Sequence, residues 1–280
     1  MEVALFLHEG FLLGFHFFGI DQTYFYAYPL LFDQLLSLSE GGEKVTPAHQ
    51  KSMQFMLKEY QLEREDTDYP LPNRFLEAEE INSFFEILDH ENKSIASIIK
   101  AIRESWKIYA LNASDRSKSF QARGEWMKQQ FDHYLTRLQN DGLENPKMLI
   151  KLGAMHTMRR ETPLGIKDIG AHVHELANEN NVKDLNLAFM FRYYLDEDES
   201  LGYFDNSEGN STWLNERKAF MLQGRVEEWR IIALKKLQEY LNQNSIYVHS
   251  PLQKMMDRHD YIIIPPATKG VQRNYSTSFH

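Results

Sequence analysis

The chain has 280 residues with 31 basic and 40 acidic side chains, and its formal net charge of −9 argues against a basic surface that binds nucleic acid through phosphates. It contains no cysteine, which excludes disulfides, thiolate metal sites and cysteine nucleophiles. No apolar run reaches the roughly 18 residues of a transmembrane helix. Glu2 and His8-Glu9 are atypical of a signal peptide, so the cytoplasm is the default expectation.

The first half of the chain predicts one short strand followed by helices. The aromatic stretch "FHFFGI" predicts a strand over Phe15–Ile20 that ends at Asp21. Thr46 is the predicted N-cap of the second helix, with Pro47 at its first position. The charged residues 63–73 predict a loop. Helices are predicted over Thr23–Leu38, Pro47–Leu62, Leu76–Leu88, Lys93–Leu111 and Phe120–Asn140.

The second half predicts alternating strands and helices. Such alternation indicates an α/β fold, here a mainly parallel sheet with flanking helices and right-handed crossovers. Residues 196–212 are acidic and contain glycine, which predicts an exposed excursion. Strands are predicted over Lys147–Leu152, Leu185–Tyr193 and Asp260–Ile264, and helices over Ile169–Asn180 and Glu227–Gln243.

The helices between residues 46 and 112 leave and rejoin this sheet between its first two strands. They predict an inserted helical block that packs as a lid within a single α/β domain, residues 1–280.

Polar residues follow the predicted strands at their carboxyl ends, where open α/β sheets bind ligands. Asp21, His156 and the loop after the last strand are therefore expected along one edge. Histidine titrates close to neutral pH, which makes His156 a candidate acid or base. Arg159 and Arg160 are candidates to hold an anion or an oxyanion, and Glu161 is a candidate to orient the imidazole. The alternative is that His156 only caps a strand and bonds a neighbouring loop.

The aromatic run from Gln22 to Phe32 follows Asp21 directly. Core packing explains most of its rings, whereas the hydroxyls of Tyr24 and Tyr26 need hydrogen-bond partners. These two tyrosines are therefore candidates to line a pocket for a planar or apolar ligand.

Neither a metal nor another cofactor is predicted. His172 and His174 lie two positions apart on a predicted helix. Their side chains therefore point about 200° apart and are poorly placed to bind the same metal ion. The acidic run Asp196–Glu199 lacks the spacing of a calcium loop. No Gly-x-Ser-x-Gly elbow and no P-loop occur, which disfavours a serine hydrolase or a nucleotide phosphatase.

One long segment, "KMLIKLGAMHTMRRETPLGIKDIGAHVHELA", resembles the strand–loop–helix segment of the erythromycin esterase-like family. The second histidine of that family's His-Asn-x-His signature falls on His156, while Gly153 and Ala154 replace the first His-Asn. The family's helix start falls on residues 169–173. "ARGEWMKQQFDHYL" resembles another family helix and places its arginine at Arg123. "GFHFFGIDQ" resembles a family strand whose aspartate falls on Asp21, and "DRHDYIIIPPAT" resembles the closing strand.

This resemblance implies a metal-independent hydrolase that opens an ester or lactone of a small molecule by histidine-assisted water attack. It implies that His156 acts as acid or base, that Arg123 and Arg159 hold a carbonyl or carboxylate, and that Asp21 and Glu161 orient these groups. The expectation from it is that His156, Arg123 and Asp21 converge on one cleft.

The family's front motif, Gly-Glu-x-x-His, is not found in this sequence. The resemblance therefore implies the later part of the family fold or a divergent member of the family, and a ligand-binding or degenerate domain without catalysis is the alternative function. On that basis we expect little ester hydrolysis and a tendency to self-associate.

Overall fold

The computed structural model describes residues 18–66, 68–88, 93–144, 146–195, 201–203 and 212–269. The chain forms two compact units, residues 1–147 and residues 148–280. The N-terminal unit is helical, and its first element is a short 3-10 helix over Phe25–Ala27. Its α-helices are α1 (Tyr28–Leu38), α2 (Val45–Glu65), α3 (Leu71–Glu77), α4 (Glu79–Leu88), α5 (Lys93–Ser114) and α6 (Arg116–Asn140).

Aromatic side chains fill the core of the N-terminal unit. Phe75 of α3 is fully buried and stacks on Phe25 with the ring centroids 5.7 Å apart. It also contacts the rings of Tyr60 and Trp106, at 5.5 and 5.4 Å between centroids. These separations are typical of favourable aromatic pairs. The ring of Phe75 in the short helix α3 therefore contacts both α2 and α5.

The predicted helices of this unit are confirmed, with differences at their ends. Residues 76–88 form the end of α3 and all of α4, so one predicted helix is two. Thr46 is not the N-cap of α2, because the helix begins at Val45 and follows Lys44 without a side-chain cap. The side chain of Asp115 does cap α6, since its Oδ1 accepts from the backbone N–H of Lys118 at 3.0 Å.

The C-terminal unit combines short helices with short strands. Its helices are α7 (Ile169–Glu179), α8 (Thr212–Met221), α9 (Leu234–Gln243) and α10 (Ser250–Arg258). Its strands are β1 (Leu187–Phe189), β2 (Tyr193–Leu195), β3 (Leu201–Tyr203), β4 (Arg230–Ala233), β5 (Tyr261–Ile264) and β6 (Thr268–Lys269).

The strands form two three-stranded sheets, and the parallel pair of each sheet has the same register. The first has the order β1-β5-β4, with β1 parallel and β4 antiparallel to β5. The second has the order β3-β2-β6, with β6 parallel and β3 antiparallel to β2. Leu187 pairs with Tyr261 and Tyr194 pairs with Thr268, so both parallel ladders keep the same offset along the chain. The second sheet thus continues the register of the first after a short break.

One face of the first sheet is covered by helices of the same unit. Ala188 of β1 and Ile262 and Ile264 of β5 point to this side and are buried. They form a core with Phe220 of α8, Leu234 of α9 and methionines of α10. Strand alternation places the neighbouring residues on the opposite face.

The predicted α/β fold with a mainly parallel sheet is wrong. Helices predominate, and the described strands form only two small mixed sheets. The physical reason is that apolar runs in the sequence do not specify their strand partner or its direction, and β5 takes a parallel partner on one side and an antiparallel partner on the other. The role of residues 46–112 as a lid stays a prediction.

Further elements of the sequence prediction differ from the structure. The predicted loop 63–73 includes the end of α2 and the start of α3, and the predicted strand 185–193 is interrupted between β1 and β2. Residues 147–152 form no strand, and Leu149 is 94% exposed. The predicted helix over 227–243 is instead β4 followed by α9, because Ile231 and Ile232 pair with β5. Residues 18–20 are not in a strand, and the rest of that predicted strand lies outside the described residues.

The sequence predicts no transmembrane helix. Across the ranges that the structure describes, no helix is both long enough and apolar enough to cross a bilayer.

We expect Phe75→Ala to lower the free energy of unfolding by about 3–5 kcal/mol, because the truncation leaves a cavity among several rings that cannot collapse together. Chemical denaturation followed by circular dichroism measures this change. Leu30→Ala, at an exposed position of α1, is the control and should change stability by less than about 0.5 kcal/mol. Equal losses in the two variants would contradict the role given to this ring.

Candidate active site

The C-terminal unit contains a buried histidine–aspartate pair. His156 is 5% exposed and Asp168 is fully buried. The imidazole Nδ1 lies 2.6 Å from the Asp168 Oδ2. A carboxylate at this position accepts the Nδ1 proton, which fixes the tautomer and leaves Nε2 as the basic nitrogen. Histidine–carboxylate pairs of this kind orient the general base in hydrolases.

The loop that carries His156 is held against the start of α7. The backbone N–H of His156 donates to the Gly153 carbonyl at 2.9 Å, which closes a turn. The His156 carbonyl accepts from the Gly170 N–H at 2.8 Å. Asp168 is also the N-cap of α7, since its Oδ1 accepts from the Ile169 N–H at 2.7 Å. One carboxylate therefore starts the helix and holds the imidazole.

Gly170 is required by the close approach of these two segments. A Cβ at this position would lie 2.2 Å from the carbonyl carbon of Thr157 and 2.3 Å from its oxygen. Both are backbone atoms, which cannot move away as a flexible side chain would. The glycine thus permits the contact between α7 and the histidine loop.

Arg159 ties this loop to the first sheet. Its Nε donates to the Asp184 Oδ2 at 2.9 Å, and its Nη1 donates to the Asp260 Oδ1 at 2.6 Å. A further Nη2 bond to Asp260 makes that pair bidentate. Two carboxylates thus bind the guanidinium, so its charge is balanced within the protein. His174 also contacts Asp184, at 3.1 Å from its Nδ1 to Oδ1.

A second histidine is oriented by an amide beside this network. The Nδ1 of His259 lies 2.7 Å from the Asn186 Oδ1, and the Asn186 amide donates to the Thr157 carbonyl. Burial lowers the pKa of His259 to about 3, and the nearby Arg217, Arg258 and Arg159 add to this effect. The ring is therefore neutral at physiological pH. Its Nε2 is buried and has no hydrogen-bond partner among the described residues.

The network lies at the amino ends of the parallel strands. Asn186 directly precedes β1, and Asp260 directly precedes β5. The Asn186 N–H donates to the Asp260 Oδ2 at 2.8 Å, which joins the two strand starts. Because Asn186 also bonds Thr157, the loop of His156 lies at this end. The sequence had predicted it at the carboxyl ends, on the basis of a strand over 147–152 that does not form.

In the N-terminal unit the structure brings Asp21 and Arg123 together. The Arg123 Nε donates to the Asp21 Oδ1 at 2.7 Å, and its Nη2 bonds the second oxygen. Asp21 also accepts from the Gln22 N–H at 2.7 Å. The Tyr109 hydroxyl donates to the Thr23 carbonyl at 3.2 Å, and burial raises the pKa of that phenol. The family resemblance had placed both charged residues in one site.

The convergence of Asp21, Arg123 and His156 on one cleft stays a prediction, because the first two lie in the N-terminal unit and His156 lies in the C-terminal unit. Arg160 and Glu161 are exposed. Asp168, and not Glu161, contacts the imidazole.

The two candidate pocket tyrosines are exposed. The Tyr26 hydroxyl donates to the Glu63 Oε2 at 3.0 Å, and partial burial together with this carboxylate raises the pKa of its phenol. Tyr24 packs edge-on against the Tyr26 ring, at 5.8 Å between centroids. Tyr26 thus has the partner that its hydroxyl needs on the surface of α2.

Sequence reasoning missed several residues of the C-terminal network, among them Asp168, Asn186 and His259. Aspartate directly before the Ile-Gly start of a helix is a recognisable N-cap signal. The contact of the second Asp168 oxygen with His156, and the bonds of Asn186 and His259 to residues distant in sequence, have no local sequence signal. In the described ranges no group of three or more histidine or carboxylate side chains is placed to hold a metal ion.

We expect Gly170→Ala to destabilise the C-terminal unit by several kcal/mol, because the added Cβ would overlap the Thr157 carbonyl. Gly42→Ala is the matched control, because a Cβ there would have only an ordinary contact at 4.0 Å. Thermal unfolding of both variants tests this expectation. A tolerated Gly170→Ala would mean that α7 is not packed on the histidine loop.

The depressed pKa of His259 predicts that stability falls on acidification. The unfolded chain takes up the proton near pH 6.5, whereas the folded chain takes it up only near pH 3. The free energy of unfolding is therefore unaffected by His259 above pH 6.5. It falls by up to about 1.4 kcal/mol per pH unit as the pH is lowered from 6.5 toward 3.

His259→Asn keeps a donor toward Asn186 and removes the titrating ring, so we expect a shallower fall in stability over the same range. Urea denaturation at several pH values measures both slopes. Identical slopes in the two proteins would assign the acid sensitivity to other groups.

No protein-family model, no curated protein sequence and no solved structure matches this chain.

Proposed function

We propose that this chain is an esterase-like hydrolase in which His156 assists the attack of water on an ester or lactone, without a metal ion. The observation that carries the proposal is the buried contact between His156 Nδ1 and Asp168 Oδ2. The resemblance of residues 147–177 to the erythromycin esterase-like family supports the same assignment, because its histidine signature falls on His156.

In this proposal the His156 Nε2 takes a proton from water as the water oxygen bonds to the carbonyl carbon. The tetrahedral intermediate then expels the alcohol oxygen, and Nε2 returns the proton to it, which gives a carboxylic acid and an alcohol. Asp168 stabilises the imidazolium that forms in between. Asp168 thus takes the orienting role that the sequence had given to Glu161.

Arg159 has a positioning role in this proposal, because Asp184 and Asp260 already bind its guanidinium. It ties the histidine loop to the starts of β1 and β5 and so fixes the backbone that carries His156. Substrate anions would meet a guanidinium whose charge is already balanced. This differs from the role in carbonyl binding that the resemblance implies.

A ligand-binding domain without catalysis is the second candidate. The observation that favours it is the burial of His156, which is 5% exposed and therefore has little access to a substrate in this conformation. In that case the pair of His156 and Asp168 has the structural role of fastening a loop to α7. The two candidates differ in whether substrate is turned over.

The missing front motif implies little hydrolysis, but the contact of His156 with Asp168 provides an oriented base, so we expect the purified chain to hydrolyse a member of a panel of activated esters and macrolactones. We expect His156→Ala to lower kcat by about 10²–10⁴-fold. Asp168→Asn retains an oxygen that can cap α7 and weakens the hold on the imidazole, so we expect a smaller loss. His249→Ala, at an exposed histidine of the same unit, is the matched control and should retain full activity.

Circular dichroism and thermal unfolding check that each variant is folded. Turnover that persists in His156→Ala would refute the proposal. Absence of turnover in the intact chain, combined with a thermal shift on adding the same compounds, would establish the binding function in its place.

A further inference from the structure

The first sheet of the C-terminal unit has a second apolar face. The alternation that buries Ala188 and Ile262 directs their neighbours to the opposite side. On that side Phe189, Ile263 and Ile231 form one row across the three strands, according to the pairing of β1 with β5 and of β4 with β5. The strand residues on this side are Leu187, Phe189, Ile231, Ala233, Tyr261 and Ile263. The same alternation, continued into the residues that flank the strands, adds Leu185, Phe191 and Trp229. We call these nine side chains the open face.

Much of the open face is in contact with solvent. Its six most exposed members, which include Phe189, Trp229 and Ile231, are between 37% and 67% exposed. Contiguous apolar patches of more than a few hundred Å² are rare on monomeric proteins and mark interaction sites. Strands that are apolar on both sides are typical of sheets that are covered on both faces. The composition of these strands therefore indicates a second covering layer.

We propose that the open face binds the open face of a second copy of this chain, in a two-fold symmetric dimer. A two-fold interface brings the same patch of both subunits together, so the patch must be complementary to itself. None of the nine side chains is charged, so two such faces approach without like-charge repulsion at the contact. The net charge of −9 opposes association elsewhere on the surface, which restricts close contact to an uncharged patch.

The area of the open face agrees with a weak dimer. A fully exposed aromatic side chain presents roughly 150–250 Å², and the exposed fractions then give on the order of 600 Å² of apolar surface per copy. Two copies would bury about 1,200 Å², at the lower end of the range for specific interfaces. Sheets pack face to face at about 10 Å, so the side chains of two such layers can interdigitate. We therefore expect monomer and dimer to exchange at micromolar concentrations.

Sedimentation of the full chain over a range of concentrations tests this inference. We expect a reversible monomer–dimer equilibrium, and we expect Phe189→Glu and Ile231→Glu each to weaken it by at least 100-fold. By symmetry each substitution places two carboxylates in the interface. Tyr247→Glu is the matched control, because Tyr247 is 89% exposed outside the open face and the substitution adds the same charge.

The absence of native cysteine permits a second measurement on the same protein. We expect a bifunctional maleimide reagent to cross-link Phe189→Cys into a dimer, whereas Tyr247→Cys should remain monomeric. Since the substituted side chains are exposed, far-UV circular dichroism should remain that of the parent chain. A chain that stays monomeric at all concentrations, or a dimer that Phe189→Glu leaves intact, would overturn the inference.

Discussion

A single buried carboxylate organises the candidate site of this protein. Asp168 uses one oxygen to begin α7 and the other to hold the imidazole of His156. A buried charge of this kind is stable only when its oxygens are satisfied by donors. The helix start and the histidine loop are therefore coupled, because separating them would leave the Asp168 Oδ2 without its donor. Gly170 allows the close approach of α7 to the histidine loop, on which the bond between Asp168 and His156 depends.

The helical half of the chain was largely predictable from sequence. Apolar residues at helical spacing located α1, α2, α5 and α6, and the structure differs mainly in their ends. Local signals suffice here, because an α-helix satisfies its own backbone and needs only one apolar stripe. The split of residues 76–88 into α3 and α4 was missed, since Ala78 between them is a good helix former and gives no stop signal.

The sheets were not predictable in the same way. The apolar run 147–152 has the composition of a buried strand, yet it forms none, whereas Ile231 and Ile232 lie in a segment with helical periodicity and pair with β5. Strand formation depends on a partner that is distant in sequence, and composition does not name that partner. The prediction of the candidate site was incomplete for the same reason. His156 was identified locally, but its carboxylate is Asp168, and the bonds of Asn186 to Thr157 and of Arg159 to Asp260 span long separations.

The order of strands in the first sheet constrains how the chain can be made. β5 is its middle strand and also the last of its strands along the sequence, so β1 and β4 each pair only with it in that sheet. During synthesis from the N-terminus, both outer strands leave the ribosome before their common partner exists. The N-terminal unit can fold meanwhile, whereas the apolar segments of β1 and β4 must wait as exposed chain until residue 264 has emerged. Release of the chain before β5 would therefore leave β1 and β4 without their partner in the first sheet.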